Sequence, residues 1–211
     1  FLGLMHATKE TFVLSCAAMA AALGGAFVWQ RWRRTPAARR PVGQELRGVV
    51  PPLGVLLLCL AVAAAVSIVL FSSFFTNGRG PVDSVLTYTH YLNRAKGAGL
   101  HDHPWYFYLS LLLRFKENGG PLWSEGLIVL LALVGFVAAL WGRGFARLTP
   151  ALHLARFLGF YTLILTVIYA LITYKTPWCM LSFLHGMILL AAIGSVVVVR
   201  SLPHISLRIL A

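Results

Sequence analysis

Charge is what this chain has least of. Only 11% of its 211 residues are charged, and six of those are acidic. Soluble domains carry about a quarter charged residues, so a water-facing globular fold is excluded. Three cysteines, Cys16, Cys59 and Cys179, fall in or beside apolar runs. Their odd number and spacing exclude a disulfide framework and a zinc site, and leave them as small packing residues. No basic segment followed by a cleavage site opens the chain, so no signal peptide is visible. Internal repeats and low-complexity stretches are missing too. No span carries the paired intramembrane charges of a coupled transporter.

What remains is oil and arginine. The chain is 59% hydrophobic, with a mean hydropathy of +0.79. A helix needs about 20 apolar residues to cross a bilayer. Five runs qualify or come close: 11–29, 49–71, 126–141, 157–173 and 179–199. The third and fourth are short, with Trp123 and Tyr174 placed as interfacial anchors. The net charge of +12 sits in short loops between these runs, which is the positive-inside pattern and not a nucleic-acid footprint. Loop 30–48 carries Arg31, Arg33, Arg34, Arg39, Arg40 and Arg47 against Glu45 alone. Loop 142–156 carries Arg143, Arg147 and Arg156 with no acid, and the tail adds Arg200 and Arg208. These belong in the cytoplasm, which sends Lys9-Glu10, the long loop 72–125 and the turn 174–178 to the opposite face. In that long loop five basic residues face four acidic ones, so little opposes its export.

The expected fold is therefore an all-α integral membrane protein of about five transmembrane helices. Its long exoplasmic loop should hold two short interfacial helices. One follows the turn signals Asn77-Gly78 and Gly80-Pro81, with Asp83 or Ser84 as its cap, a stripe of Val85, Tyr88, Leu92 and Ala95, and Gly97 closing it. The other covers 104–115, too short to span; Pro104 suits its first position and Asn118-Gly119-Gly120-Pro121 ends it.

Three polar elements are then expected on one face. Thr8-Lys9-Glu10 opens a span. His101-Asp102-His103-Pro104-Trp105-Tyr106-Phe107-Tyr108 holds two imidazoles, a carboxylate and four aromatics. Tyr174-Lys175-Thr176-Pro177-Trp178 joins two spans. Lys9 and Lys175 suit pairing with a lipid phosphate, although a lysine at an interface also snorkels without any ligand. Glu10 either pairs with Lys9 or favours a helix N-terminus. His101 and His103 are open to metal ligation, phosphate binding or proton transfer, or are plain interfacial polar residues. Two imidazoles at this spacing meet one metal only from extended backbone. Trp105, Tyr106, Tyr108 and Trp178 form an aromatic belt or a surface for stacking a sugar ring. His185, within the last run, is expected to hydrogen-bond a neighbouring helix.

These strings, in this order, resemble a known class: the C-terminal part of GT-C-type membrane glycosyltransferases, relatives of dolichyl-phosphate-mannose–protein mannosyltransferases and aminoarabinose lipid transferases. Gly3-Leu4 with Thr8-Lys9, His101-x-x-Pro104 with its aromatics and Pro121-Leu122-Trp123, and Lys175-x-Pro177 are the matching motifs. The T-K-E and Y-K-T-P-W strings are most similar to the flippase activity-associated membrane protein subgroup, and the likeness covers nearly the whole chain. It implies a polyprenyl-phosphate-linked sugar donor bound from the outer leaflet of the plasma (inner) membrane, toward the periplasm or exterior. Lys9 and Lys175 would hold the lipid phosphate. Glu10, His103, Trp105, Tyr106, Tyr108 and Trp178 would contact the sugar or headgroup, and His101 would help bind a divalent metal. The family's general base is an acid in an outer loop expected upstream of Phe1, so 1–211 reads as the C-terminal portion of one polytopic domain. Neither Asp102 nor Glu125 matches that acid. The competing implication, carried by the subgroup's name, is a non-enzymatic partner in lipid-linked sugar flipping or glycan export.

Overall fold

A computed structural model describes residues 1–8, 11–39, 41–47, 51–95, 101–116, 119–144 and 149–203. Among them the chain is helical, with two isolated β-bridges and no strand. Among the described residues four helices are long and apolar enough to cross a membrane: Phe12–Arg33, Leu53–Phe71, Pro150–Leu171 and Pro177–Ser201. The chain is a membrane protein on that ground. The fifth expected span is the 16-residue helix Gly126–Trp141, shorter than a full crossing. Contacts divide the chain into two compact units, Phe1–Cys16 with Gln30–Ala95, and Ala17–Trp29 with Lys96–Ala211.

In the first unit, α1 (Leu2–Thr8) lies on α4 (Leu53–Phe71) and α5 (Gly80–Ala95) packs against α4, while the unit also holds both ends of α2 (Phe12–Arg33) and the short α3 (Val42–Arg47). Gly3 permits the contact, since a Cβ there would come within 2.5 Å of the Ala63 carbonyl oxygen. The His6 ring sits 5.0 Å from both Phe12 and Phe71 and stacks on Tyr88 at 6.3 Å. Its Nδ1 lies 3.2 Å from the Ser67 hydroxyl. An almost wholly apolar cavity of about 480 Å³ opens beside this imidazole, lined by Leu2, Phe12, Leu60 and Phe71 among others. The arginine-rich loop is tied down by its single acid. Arg31 and Arg34 reach the buried Glu45 carboxylate at 3.3 and 2.7 Å.

The end of α4 is a Schellman closure. The Phe74 N–H donates to the Val69 carbonyl at 2.8 Å and the Ser73 N–H to Leu70 at 3.1 Å. Ser73, Phe74 and Phe75 all take left-handed φ, at 50°, 56° and 72°, where glycine is the usual choice. The helix that follows begins at Gly80, three residues before the expected cap at Asp83. A Cβ on Gly80 would strike the Phe71 carbonyl oxygen at 1.8 Å, so the close approach requires glycine there, and the Asn77 side chain accepts the Arg79 N–H just ahead of it at 3.2 Å. Within it the Ser84 hydroxyl bonds back to Pro81. Gly97 and Gly99 lie outside the described residues, as do Lys9 and Glu10.

The second unit is built on α7 (Gly126–Trp141), α8 (Thr149–Leu171) and α9 (Leu181–Ser201). The α7–α9 pair makes the broadest contact, around Ala132, Leu190 and Ala191. Two glycines let the backbones meet. A Cβ on Gly135 would be 2.0 Å from the Leu190 carbonyl, and one on Gly194 would be 2.0 Å from the Leu131 carbonyl. Small residues at such crossings are how helices associate in lipid. On α8, Gly159 accepts the Phe136 ring, and on α9 Gly186 accepts the buried Thr162 hydroxyl.

The fourth span begins at Thr149, well before the expected residue 157, and ends at Leu171 rather than 173. Arg156, assigned by its charge to a cytoplasmic loop, lies inside this helix and is buried. Its guanidinium donates to the Ala139 carbonyl at 2.9 Å and the Leu140 carbonyl at 3.1 Å, where α7 ends at left-handed Gly142. The Trp29 indole donates to Leu140 at 2.9 Å as well. Terminal carbonyls that a helix cannot satisfy itself are thus answered by a cation at the negative end of its dipole.

Candidate functional site

The polar loop segment and the later turn meet within the second unit. Residues 101–103 run extended and antiparallel to 173–175. The His103 N–H donates to the Thr173 carbonyl at 3.1 Å, and the Lys175 N–H donates to the His101 carbonyl at 2.9 Å. Asp102 and Tyr174 face one another at the centre, as a pair that exchanges no backbone bond of its own. Segments some seventy residues apart in sequence are thereby stitched into one surface.

Lys175 lies beneath that stitch, 1% exposed. Its ammonium donates to the His103 carbonyl at 3.1 Å and to the Ile172 carbonyl, just past the last turn of α8. The second contact adds the favourable field of a helix C-terminus. Burial pulls its pKa below the ordinary lysine value, while Asp102 acts the other way. The sequence suggested a snorkelling or phosphate-bound ammonium; in the structure both bonds go to main-chain carbonyls.

The short helix after Pro104 is α6, Phe107–Leu113, shorter at both ends than the expected 104–115. It stops well before Gly119 because Phe115 pairs with Trp123 through bonds of 3.0 and 2.8 Å, and the Glu125 N–H donates to Leu112 at 2.7 Å. Its inner face is Tyr108 and Leu112, one turn apart and both buried. The Tyr108 hydroxyl donates to the Thr176 carbonyl at 3.2 Å, and its ring meets Tyr169 and Phe183 edge-on. Burial pushes this phenol well above the usual tyrosine range, with a smaller contribution from Cys179. Thr176 in turn lies 3.2 Å from the Cys179 sulfur. Tyr108 is therefore a strut under the surface, not a member of an exposed belt.

The other aromatics do face outward. Trp105, Tyr106 and Trp178 are all more than half exposed. His101 sets its ring edge-on to Tyr174 at 5.2 Å, and His103 stacks on Phe107 at 3.9 Å. The extended backbone that two imidazoles need to face one metal is present at 101–103. Each ring, however, lies on an aromatic, and no three His, Cys, Asp or Glu side chains gather for a metal among the described residues.

The assembly combines an exposed aromatic rim, two imidazoles and one carboxylate over a buried cation. Such a surface can stack a ring and offer hydrogen bonds to hydroxyls or an anion. Two of its linkages have little sequence signal: the Tyr108–Thr176 bond and the 101–103 pairing. The i, i+4 spacing of Tyr108 and Leu112 is the one cue that separates Tyr108 from its exposed neighbours. No family model, curated protein or solved structure matches the chain.

Proposed function

We propose that this chain belongs to a membrane glycosyltransferase that takes its sugar from a polyprenyl-phosphate carrier on the outer face of the plasma (inner) membrane. The observation that supports this is the pairing of 101–103 with 173–175. It gathers His101, His103 and Lys175 beside the exposed Trp105, Tyr106 and Trp178. Stacking on the aromatics would hold the sugar, and Lys175 would neutralise the phosphate at the boundary where the prenyl tail enters lipid. The resemblance of their T-K-E string gives Lys9 and Glu10 a headgroup-binding role as well; both lie outside the described residues. A divalent cation with His101 among its ligands would screen the phosphate further.

Transfer would move the glycosyl group from the carrier phosphate to an acceptor hydroxyl, releasing polyprenyl phosphate. The acceptor proton needs a base, and segments 101–108 and 173–180 contain one acid, Asp102. We assign the base to an acidic loop outside 1–211. That scarcity of acid also favours the second reading, a non-enzymatic partner that recognises lipid-linked sugar during flipping or glycan export.

Reconstitution in proteoliposomes with a radiolabelled polyprenyl-phosphate hexose separates these readings. Binding that is weakened about tenfold by Trp105→Ala together with Trp178→Ala, with label moving to an acceptor, is expected of the transferase. Binding without transfer by the full-length protein selects the partner. Absence of binding removes both.

A further inference from the structure

The buried state of Lys175 poses a chemical difficulty for any anion that is to reach it. With 1% of the residue exposed and its ammonium on the carbonyls of His103 and Ile172, a phosphate cannot approach until something opens. The cover is segment 101–103, and its attachment is slight. Two backbone bonds hold it, His103 to Thr173 and Lys175 to His101, and an isolated two-stranded pairing of that size is marginal by itself. The ammonium bond to the His103 carbonyl is a further, charge-assisted tie, and the Asp102 carboxylate adds its attraction to the same ammonium.

We infer that Lys175 is an anion-trapped latch: segment 101–103 lifts transiently from 173–175, and a phosphate then takes the ammonium from the His103 carbonyl and holds the segment open. A phosphate oxygen is the stronger acceptor for an ammonium, since it brings a full opposite charge where a carbonyl brings only a dipole. What stays behind is also defined. The Tyr108 hydroxyl keeps its bond to Thr176, so α6 remains anchored and the movement is confined to the residues ahead of Pro104. Lifting would carry His101 and His103 with it, freeing two imidazoles now packed on Tyr174 and Phe107 to meet the anion that holds the latch open. This deepens the proposed function and rests on its claim that Lys175 meets a phosphate.

Asp102 and Tyr174 allow a direct test. In antiparallel pairs that exchange no backbone bond the Cα atoms lie about 4.5 Å apart, within the range a disulfide spans. The purified full-length protein carrying Asp102→Cys and Tyr174→Cys would be titrated, reduced and oxidised, with a polyprenyl phosphate in mixed micelles and separately with inorganic phosphate. We expect the oxidised form to bind about tenfold or more weakly than the same variant reduced. In the wild-type protein, amide exchange at His103 and Lys175 should speed up when the ligand is added, a readout that stands even if the double variant misfolds. Equal binding by both forms, or unchanged exchange on binding, overturns the latch and leaves lipid-phosphate recognition intact. Faster exchange with inorganic phosphate but no binding of the prenyl phosphate keeps the latch and removes the lipid. Failure of both probes with wild type removes both ideas.

Discussion

Helices α4 and α9 are both spans by length, yet they solve different problems. The α4 span has the higher mean hydropathy, 2.9 against 2.2 for Pro177–Ser201, and buries none of its 19 residues. Helix α9 buries Phe183, Gly186, Leu190, Ala191 and Gly194. In water the oilier helix would be expected inside. In lipid, an apolar side chain gains little by exchanging acyl chains for protein, so helices associate where small residues let backbones close. Hydropathy marks where the chain meets lipid, and glycine marks where it meets itself.

The largest effect should come from filling a notch. Gly135→Leu would put a side chain where the Leu190 carbonyl stands. We expect a loss of about 3 kcal/mol, measured as unfolding free energy in a denaturing-detergent titration; an unchanged midpoint would break the contrast outright. Next is Arg156→Ala, which leaves the Ala139 and Leu140 carbonyls without their charged donor. About 2 kcal/mol is expected in the same titration, and Arg156→Lys should recover only part of it, because lysine lacks the rigid planar fork that presets two N–H groups toward both carbonyls. Tyr108→Phe keeps the ring contacts and removes the bond to Thr176. It should cost about 1 kcal/mol and speed amide exchange around 173–176. Smallest of all is Leu58→Ala on α4, where the side chain is 64% exposed. A change within about 0.5 kcal/mol is expected, and a loss as large as that at Gly135 would show that oiliness, not notching, holds these helices.

The same contrast explains what could be read from the residues alone. Long apolar runs announced α2, α4 and α9 because a membrane span is a local property of about 20 residues. The start of α8 was hidden because Thr149, His153 and Arg156 look like loop. Their meaning depends on the end of α7, which only packing supplies. Lys175 and Tyr108 were recognised as residues of interest, and their types suit an interface. Their burial was not legible, because it follows from the pairing of 101–103 with 173–175, and two backbone bonds between distant segments leave no pattern in either one. Tyr108 shows how narrow the margin is. It differs from Trp105 and Tyr106 only in falling one turn before Leu112 on the inner face of α6.

The obstacle facing Gly135 is the Leu190 carbonyl, and the one facing Gly194 is the Leu131 carbonyl. Neither can be trimmed by mutation, for a main-chain oxygen is common to all twenty residues. A larger residue at one site therefore has no compensating partner across the crossing. Over evolutionary time the oily residues of α4 can drift freely among themselves, while these two positions admit a single letter. One inserted residue in either helix would turn its glycine about 100° away, so the crossing also forbids length variation on both sides of it. Relatives of this protein should inherit α7 and α9 as a fixed pair around two invariant points.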